Sequence, residues 1–302
     1  MRPAARHYTL MQRIRTTSRY AMVTATHRWS SCIQSQLQHA VRTMPAAHDV
    51  VILYDDTKPT PMRRQAEVFV EAHPRAYLVR FSATVGNRTL VRLGYPQRAI
   101  HEFSPFHSGF SKVAWFVWGA RQTYEHVWFF EDDVLMPCAW YNFVQMFQHT
   151  NLTQTDELLA INCSTRSGHP WSRRCNFCHN RPGQKQTKCL LAAMRASRGL
   201  LHATDDALRH GIAAHHELTV PHVCQSLMRP HAHCIIQDIS HDPRFAGRVA
   251  APNYLDARAK ERMQRLLETA MRPGGWHVLS QEHSGCRAGQ RFSLYHPTKC
   301  PG

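Results

Sequence analysis

Four short apolar runs punctuate the N-terminal half of the chain, at residues 20–26, 49–54, 76–81 and 126–130, and their length and β-former content suit buried strands. Amphipathic segments separate them. Ser30 or Ser31 can cap a helix through Ile33, Leu37 and Val41, whose spacing of four puts them on one face. A second helix is expected over residues 61–72, stopped near Pro74, and an aromatic one over 110–124, opened by Ser108 or Ser111. Residues 86–107 read as loop-rich. Strands alternating with helices at this spacing predict an α/β fold with a mostly parallel central sheet and helices on both faces. Beyond the fourth run the pattern loosens into a helix over 140–147, a strand over 157–161, a polar loop over 168–188, a strand over 190–194 and a helix over 200–210 that ends at Gly211. One domain is expected over 19–302, regular to about 162 and loop-rich beyond.

The fourth run ends in Glu131-Asp132-Asp133. Three adjacent carboxylates repel one another and resist desolvation, so they belong at the exposed end of the strand. Ligands of parallel α/β sheets bind at the carboxyl ends of the strands, where Asp55-Asp56 and His27-Arg28 also fall. A hard divalent cation, Mn²⁺ or Mg²⁺, would relieve the repulsion and leave coordination positions for diphosphate oxygens; a solvated acidic loop is the plainer alternative.

Composition narrows the field. The 302 residues are 43% hydrophobic and 10% aromatic, enough for a real core, and 37 Lys and Arg against 21 Asp and Glu give a formal charge of +16. That charge favours anionic partners: nucleotides, phosphorylated substrates, nucleic acid or acidic membrane surfaces. No window approaches the roughly 18 to 20 apolar residues of a membrane span, so no transmembrane span is expected. Residues 1–18 are basic and acid-free, as in a leader or a disordered arm. Ten cysteines and sequons at Asn87, Asn151 and Asn162 lean towards the secretory lumen, Golgi or ER, with a cytoplasmic or organellar site as the alternative.

With the acids on the fourth strand of a βαβ series, the chain resembles the Rossmann-like GT-A nucleotide-sugar glycosyltransferases over residues 20–161 and, more weakly, in its tail. Glu131-Asp132-Asp133 matches their DxD-type motif with Glu in first place. Gly109-Phe110-Ser111-Lys112 lies on the preceding helix, which in that family carries sugar-nucleotide contacts. His215-His216-Glu217 is similar to the acceptor half, and His296-Pro297-Thr298-Lys299 to a closing His and Lys. The resemblance implies a nucleotide-sugar half over 19–162 and an acceptor half with closing tail over 163–302. It also implies a nucleoside-diphosphate-sugar donor, a divalent metal, and a glycan, protein or lipid acceptor.

Within that implied chemistry Asp133 is the direct metal ligand, Glu131 holds a water on the metal or the ribose, and Asp132 does either. His296 completes the metal shell and Lys299 meets the diphosphate. Lys112, His27 and Arg28 flank the donor, while Asp55 and Asp56 reach the base or ribose hydroxyls or, more plainly, close an Asx turn. An inverting transfer needs a carboxylate for the acceptor proton; Glu217 is the first choice and Asp238 the second. Cys175, Cys178, His179 and Cys189 could form disulfides, bind zinc or remain free thiols. Two other classes share these features: a basic nucleic-acid binder with a small zinc loop, and a metal-dependent phosphoryl-transfer enzyme. Spread-out arginines and the acidic triad argue against nucleic acid as a partner.

Overall fold

The structure, a computed structural model, describes residues 7–57, 62–103, 110–132, 134, 136, 139–148, 157–166, 175, 177, 185–228, 234–241, 261, 265 and 268. Strands His7–Thr9 (β1), Tyr20–Thr26 (β2), His48–Asp55 (β3), Ala76–Phe81 (β4), His126–Glu131 (β5), Glu157–Arg166 (β6), Gln186–Ser197 (β7) and Ile235–Asp238 (β8) form one sheet in the order β1-β4-β3-β2-β5-β7-β6-β8. Every pairing is parallel except the two made by β7, which runs antiparallel to both β5 and β6. The expected α/β fold with a mostly parallel sheet is what the chain adopts.

The helices are Ser31–Thr43 (α1), Met62–Ala72 (α2), Ala83–Arg92 (α3), Gln97–Phe103 (α4), Phe110–Gly119 (α5), Trp140–Gln148 (α6), Arg198–Arg209 (α7) and His216–His222 (α8). They cover both faces of the sheet. Val23, Val51, Leu53, Val79 and Phe129 join one core with residues of α3, α4, α5 and α7. Their neighbours Met22, Val50, Ile52, Leu78, Trp128 and Phe130 join the other with α1, α2 and α6. The period-2 alternation of strand side chains therefore feeds two cores at once, which is why these strands read as unbroken apolar runs.

Three sequence expectations are corrected. Residues 86–107 were expected to be loop-rich, but α3 and α4 occupy most of that span. Ser82 caps α3 by accepting the Val85 N–H, and Gly94, at φ 90°, leaves it in the left-handed conformation. The aromatic helix stops at Gly119 rather than near 124, and a Cβ there would lie 3.1 Å from Leu201 Cδ1 and 3.3 Å from Phe129 Cζ. β7 begins at Gln186 inside the expected polar loop. Within the N-terminal segment, residues 7–9 form β1, and Leu10 and Ile14 are buried.

At the amino ends of β2, β3 and β5 lies a buried aromatic and charged cluster. Tyr20 stacks on His48 and His126, His126 Nε2 stands 3.3 Å from Glu157, and Glu157 pairs with Arg195. Burial, reinforced by Arg75 and Arg195 for His48 and by Arg195 for His126, lowers both imidazoles from 6.5 to about 4. Each is neutral when folded and binds a proton more readily when unfolded, so its stabilising effect is complete above 6.5 and lost as pH falls towards 4. The loss is about 1.4 kcal/mol per pH unit of separation for each group. Urea unfolding of the protein and of His126→Gln at neutral pH and near pH 4.5 should show a shallower fall for the variant; parallel falls would show that His126 is not held neutral.

Candidate active site

β2 passes through α1 to β3 on one side, whereas β5 joins its other side, so the chain leaves the carboxyl ends of β2 and β5 in diverging directions and opens a crevice. Val127 through Phe130 are buried, and the next two side chains emerge into this crevice: Glu131 is 30% exposed and Asp132 17%. From β2, the Thr26 hydroxyl lies 2.7 Å from Asp132 Oδ2 and 2.8 Å from the Arg28 carbonyl oxygen; its single proton goes to one at a time. Arg28 Nε is 3.9 Å from the same Asp132 oxygen.

Glu131 is held from the other side. Buried Lys112, on the first turn of α5, places Nζ 2.5 Å from Glu131 Oε1, donates to the Leu191 carbonyl at 3.1 Å and sits 3.6 Å over the Trp115 ring. An ammonium removed from water needs such partners, and the pair keeps both charges satisfied. α8 completes the group. His216 places Nδ1 3.2 Å from the Phe103 carbonyl, and burial first, then His215 and Lys112, hold its ring far below the usual imidazole range, with Glu131 opposing. Because a carbonyl can only accept, the neutral ring carries its proton on Nδ1 and leaves Nε2 as an acceptor.

Glu217 follows on α8 and is nearly buried. Its Oε2 is 3.0 Å from Lys188 Nζ on β7 and 3.7 Å from His215 Nδ1. Burial raises its carboxyl above the usual range; Lys188 and Lys112 oppose the rise and Glu131 adds to it. A buried carboxyl with raised proton affinity beside fixed cations is a candidate for proton transfer. Glu131, Lys112 and Glu217 thus share one electrostatic neighbourhood, assembled from β5, α5 and α8.

Other sequence-predicted residues are engaged elsewhere or stand apart. Asp55 closes an Asx turn, its Oδ1 accepting the Thr57 N–H at 2.9 Å and the Thr57 hydroxyl at 2.5 Å. Asp56 Oδ2 accepts two hydrogen bonds from Arg80, at 2.8 and 3.0 Å. Both Asp56 and Arg80 line a separate cavity of about 570 Å³ between β1 and α3. His27 is exposed. Asp238 lies three strands from β5, roughly 14 Å at about 4.8 Å per strand. Its Oδ2 accepts the Cys163 N–H at 2.7 Å, and its Oδ1 accepts the N–H and hydroxyl of Ser240. Asp133, His296 and Lys299, with Cys178 and His179, lie outside the described residues.

The described cysteines are oxidised. Cys189 is bonded to Cys163, Cys224 to Cys234, and Cys175 is also in a disulfide; no free cysteine occurs among the described residues. Neither Cys175 nor Cys189 is a thiolate, which removes two of the four ligands from the zinc reading. Sequence reasoning missed Thr26, which showed only as a strand end, and Lys188, which lay in an expected loop.

No protein-family model matches the chain, and no curated protein matches it. Among solved structures it is similar to mouse xyloside xylosyltransferase 1 in its apo form, at 9% identity over 93% of this chain and 99% of that one, with a TM-score of 0.48. It is also similar to the galactosyltransferase LgtC in complex with donor and acceptor sugar analogues, at 9% identity, 91% and 87% coverage and a TM-score of 0.46. A third is core-mannan synthase A of Aspergillus fumigatus in an Mn/GDP form, at 11% identity, 68% of each chain and a TM-score of 0.35. At these identities and scores, the likenesses assign neither family nor activity.

The contacts of Asp238 make it a pin between β8 and the Cys163 backbone. Asp238→Ala should lower unfolding stability by about 1.5–3 kcal/mol, the usual contribution of hydrogen bonds to a charged group, in a urea titration. Unchanged stability would show that these contacts contribute little and return Asp238 to consideration as a proton acceptor.

Proposed function

We propose that this chain transfers a sugar from a nucleoside-diphosphate sugar to an acceptor hydroxyl of a glycan, protein or lipid, using Mn²⁺ or Mg²⁺ at Glu131-Asp132-Asp133. One observation carries the reading. The contacts Lys112–Glu131 and Arg28–Asp132 meet in the crevice between β2 and β5, and a third carboxylate, Glu217, whose proton affinity burial raises, lies within electrostatic reach of the first pair.

The residues suit a divalent cation by their chemistry. Glu131 and Asp132 offer hard, partly exposed carboxylate oxygens, the donors that Mg²⁺ and Mn²⁺ prefer. No three His, Cys, Asp or Glu side chains gather closely enough to hold a metal among the described residues; Asp133 and His296, the further ligands of this reading, lie outside them. A cation bound there would supply positive charge to offset that developing on a departing nucleoside diphosphate. Lys112 and Arg28 supply fixed positive charge on either side of the carboxylates, Lys112 as a point charge and Arg28 as a fork. Thr26 ties the ends of β2 and β5 together so that the crevice keeps its width. His27 is assigned to the nucleoside side and Lys299 to the diphosphate, while Asp55 and Asp56 reach the nucleoside only by exchanging their contacts with Thr57 and Arg80.

Glu217 accepts the proton of the acceptor hydroxyl as the new glycosidic bond forms. Its burial raises proton affinity, and Lys188 and Lys112 oppose that rise by favouring the anion. An anionic donor also suits a chain of charge +16. The disulfides support an oxidising compartment such as the secretory lumen. Among the described residues no helix is long and apolar enough to cross a membrane.

Calorimetry with UDP and GDP should show binding that requires Mn²⁺ or Mg²⁺, and Asp133→Ala should abolish the coupling. Affinity indifferent to both metal and substitution would contradict the proposal. Glu217→Gln keeps the shape but not the proton affinity, so turnover should fall about 100-fold or more while nucleotide affinity is retained; near wild-type turnover would remove Glu217 from the reaction.

A further inference from the structure

The β6–β7 pairing is regular at Leu158 and Leu159, then shifts register between Leu159 and Ile161 and again between Ile161 and Ser164. Asn162, in the second shift, has φ 49°, a left-handed conformation that turns the strand. An irregular ladder fixes register poorly. Three contacts hold this one in place: Cys163 is bonded to Cys189, the Cys163 N–H donates to Asp238 at 2.7 Å, and the Asn162 N–H donates to the Ser240 hydroxyl at 3.3 Å. The residue beside the disulfide on β7 is Lys188, opposite Ser164, with its ammonium 3.0 Å from Glu217.

We propose that Lys188 is a positioning residue for Glu217, and that the Cys163–Cys189 disulfide sets its place by pinning the irregular stretch of β6 and β7. The proposal rests on the reading of Glu217 as proton acceptor. The charged and titratable groups around that carboxylate are Lys188 from β7, His215 and His216 at the start of α8, Lys112 from α5 and Glu131 from β5. Lys112 is spent on Glu131, at 2.5 Å, which leaves Lys188 as the cation in contact with Glu217 among the described residues. Both of the Glu217 ion-pair contacts, with Lys188 and His215, fall on Oε2. That leaves Oε1 outside both ion-pair contacts. α8 cannot fix this orientation by itself, because it is one short helix with no side-chain cap at His215 and a proline, Pro221, within it.

The arrangement separates two contributions to the state of Glu217. Burial favours the neutral acid, and Lys188 favours the anion that can accept a proton. Removing the ammonium leaves burial in place, so the carboxyl should titrate at higher pH.

The test is a ¹³C NMR titration of the full chain labelled at glutamate side-chain carboxyls, with the Glu217 signal assigned by its loss in Glu217→Gln. It needs neither donor nor acceptor. Lys188→Met should raise the Glu217 midpoint by about one pH unit or more, and Lys188→Arg should return it most of the way to wild type. A folded Lys188→Met protein with a wild-type midpoint overturns the pairing; if that variant does not fold, Lys188→Gln, which keeps a polar stem without the charge, is read by the same criterion. Replacing Cys163 and Cys189 together by serine should shift the midpoint in the same direction as Lys188→Met, and no shift would remove the disulfide from the device. A shifted midpoint in a protein whose nucleotide binding ignores metal would leave the pairing standing and defeat the sugar-transfer reading instead.

Discussion

A strand buried on both faces has no place for an unpaired ionised side chain, since desolvating one costs more than any packing contact returns. In β5 the side chains from Val127 to Phe130 are packed into one core or the other, and the first acids stand at the end of the strand, as the sheet gives way to loop. The position of Glu131 and Asp132 is thus a consequence of the two cores rather than a separate feature. Lys112 reaches Glu131 because α5 packs on one face of the same sheet, and Arg28 reaches Asp132 because β2 is the hydrogen-bonded neighbour. The site inherits its geometry from the pairing of β2 with β5.

The same constraint explains what could be read in advance. Runs such as Val50 to Tyr54 and Val127 to Phe130 announce doubly covered strands, so the parallel half of the sheet was legible from hydrophobic pattern alone. α3 was not. Leu90 is its one fully buried hydrophobic residue, while Val85 and Val91 face solvent among Arg88 and Arg92, which blurs the expected stripe; only Ser82 and Gly94 marked its ends. The polar start of β7 was read as loop because Gln186, Thr187 and Lys188 are partly exposed, where no core imposes apolar residues.

Side-chain chemistry was legible in part. Lys112 and Glu131 could be named singly from their places before and at the end of β5, but their contact depends on how α5 lies on the sheet. Cys-x-x-Cys spacing drew attention to Cys175 and Cys178, whereas Cys189 pairs with Cys163, 26 residues away and adjacent through antiparallel strands. Lys188 carried no local signal, because its relation to Glu217 arises from the reversed direction of β7. Asp238, named from sequence only as the alternative to Glu217, has oxygens that accept from the Cys163 backbone and from Ser240, contacts that no local pattern announced.

Charge is distributed with some economy around the site. Lys112, Arg28 and Lys188 each meet a carboxylate, so the crevice holds alternating charges rather than a bare acidic patch. The amino ends of the strands hold a different kind of cluster, in which burial keeps His48 and His126 neutral. The most direct test of the central claim is Mn²⁺ line broadening of backbone amide signals in the presence of UDP or GDP. The account predicts that Thr26, Arg28, Glu131, Asp132 and Glu217 broaden first while Tyr20, His48 and His126 at the opposite end keep their linewidths. Broadening centred away from the ends of β2 and β5, or none with either nucleotide present, would contradict it.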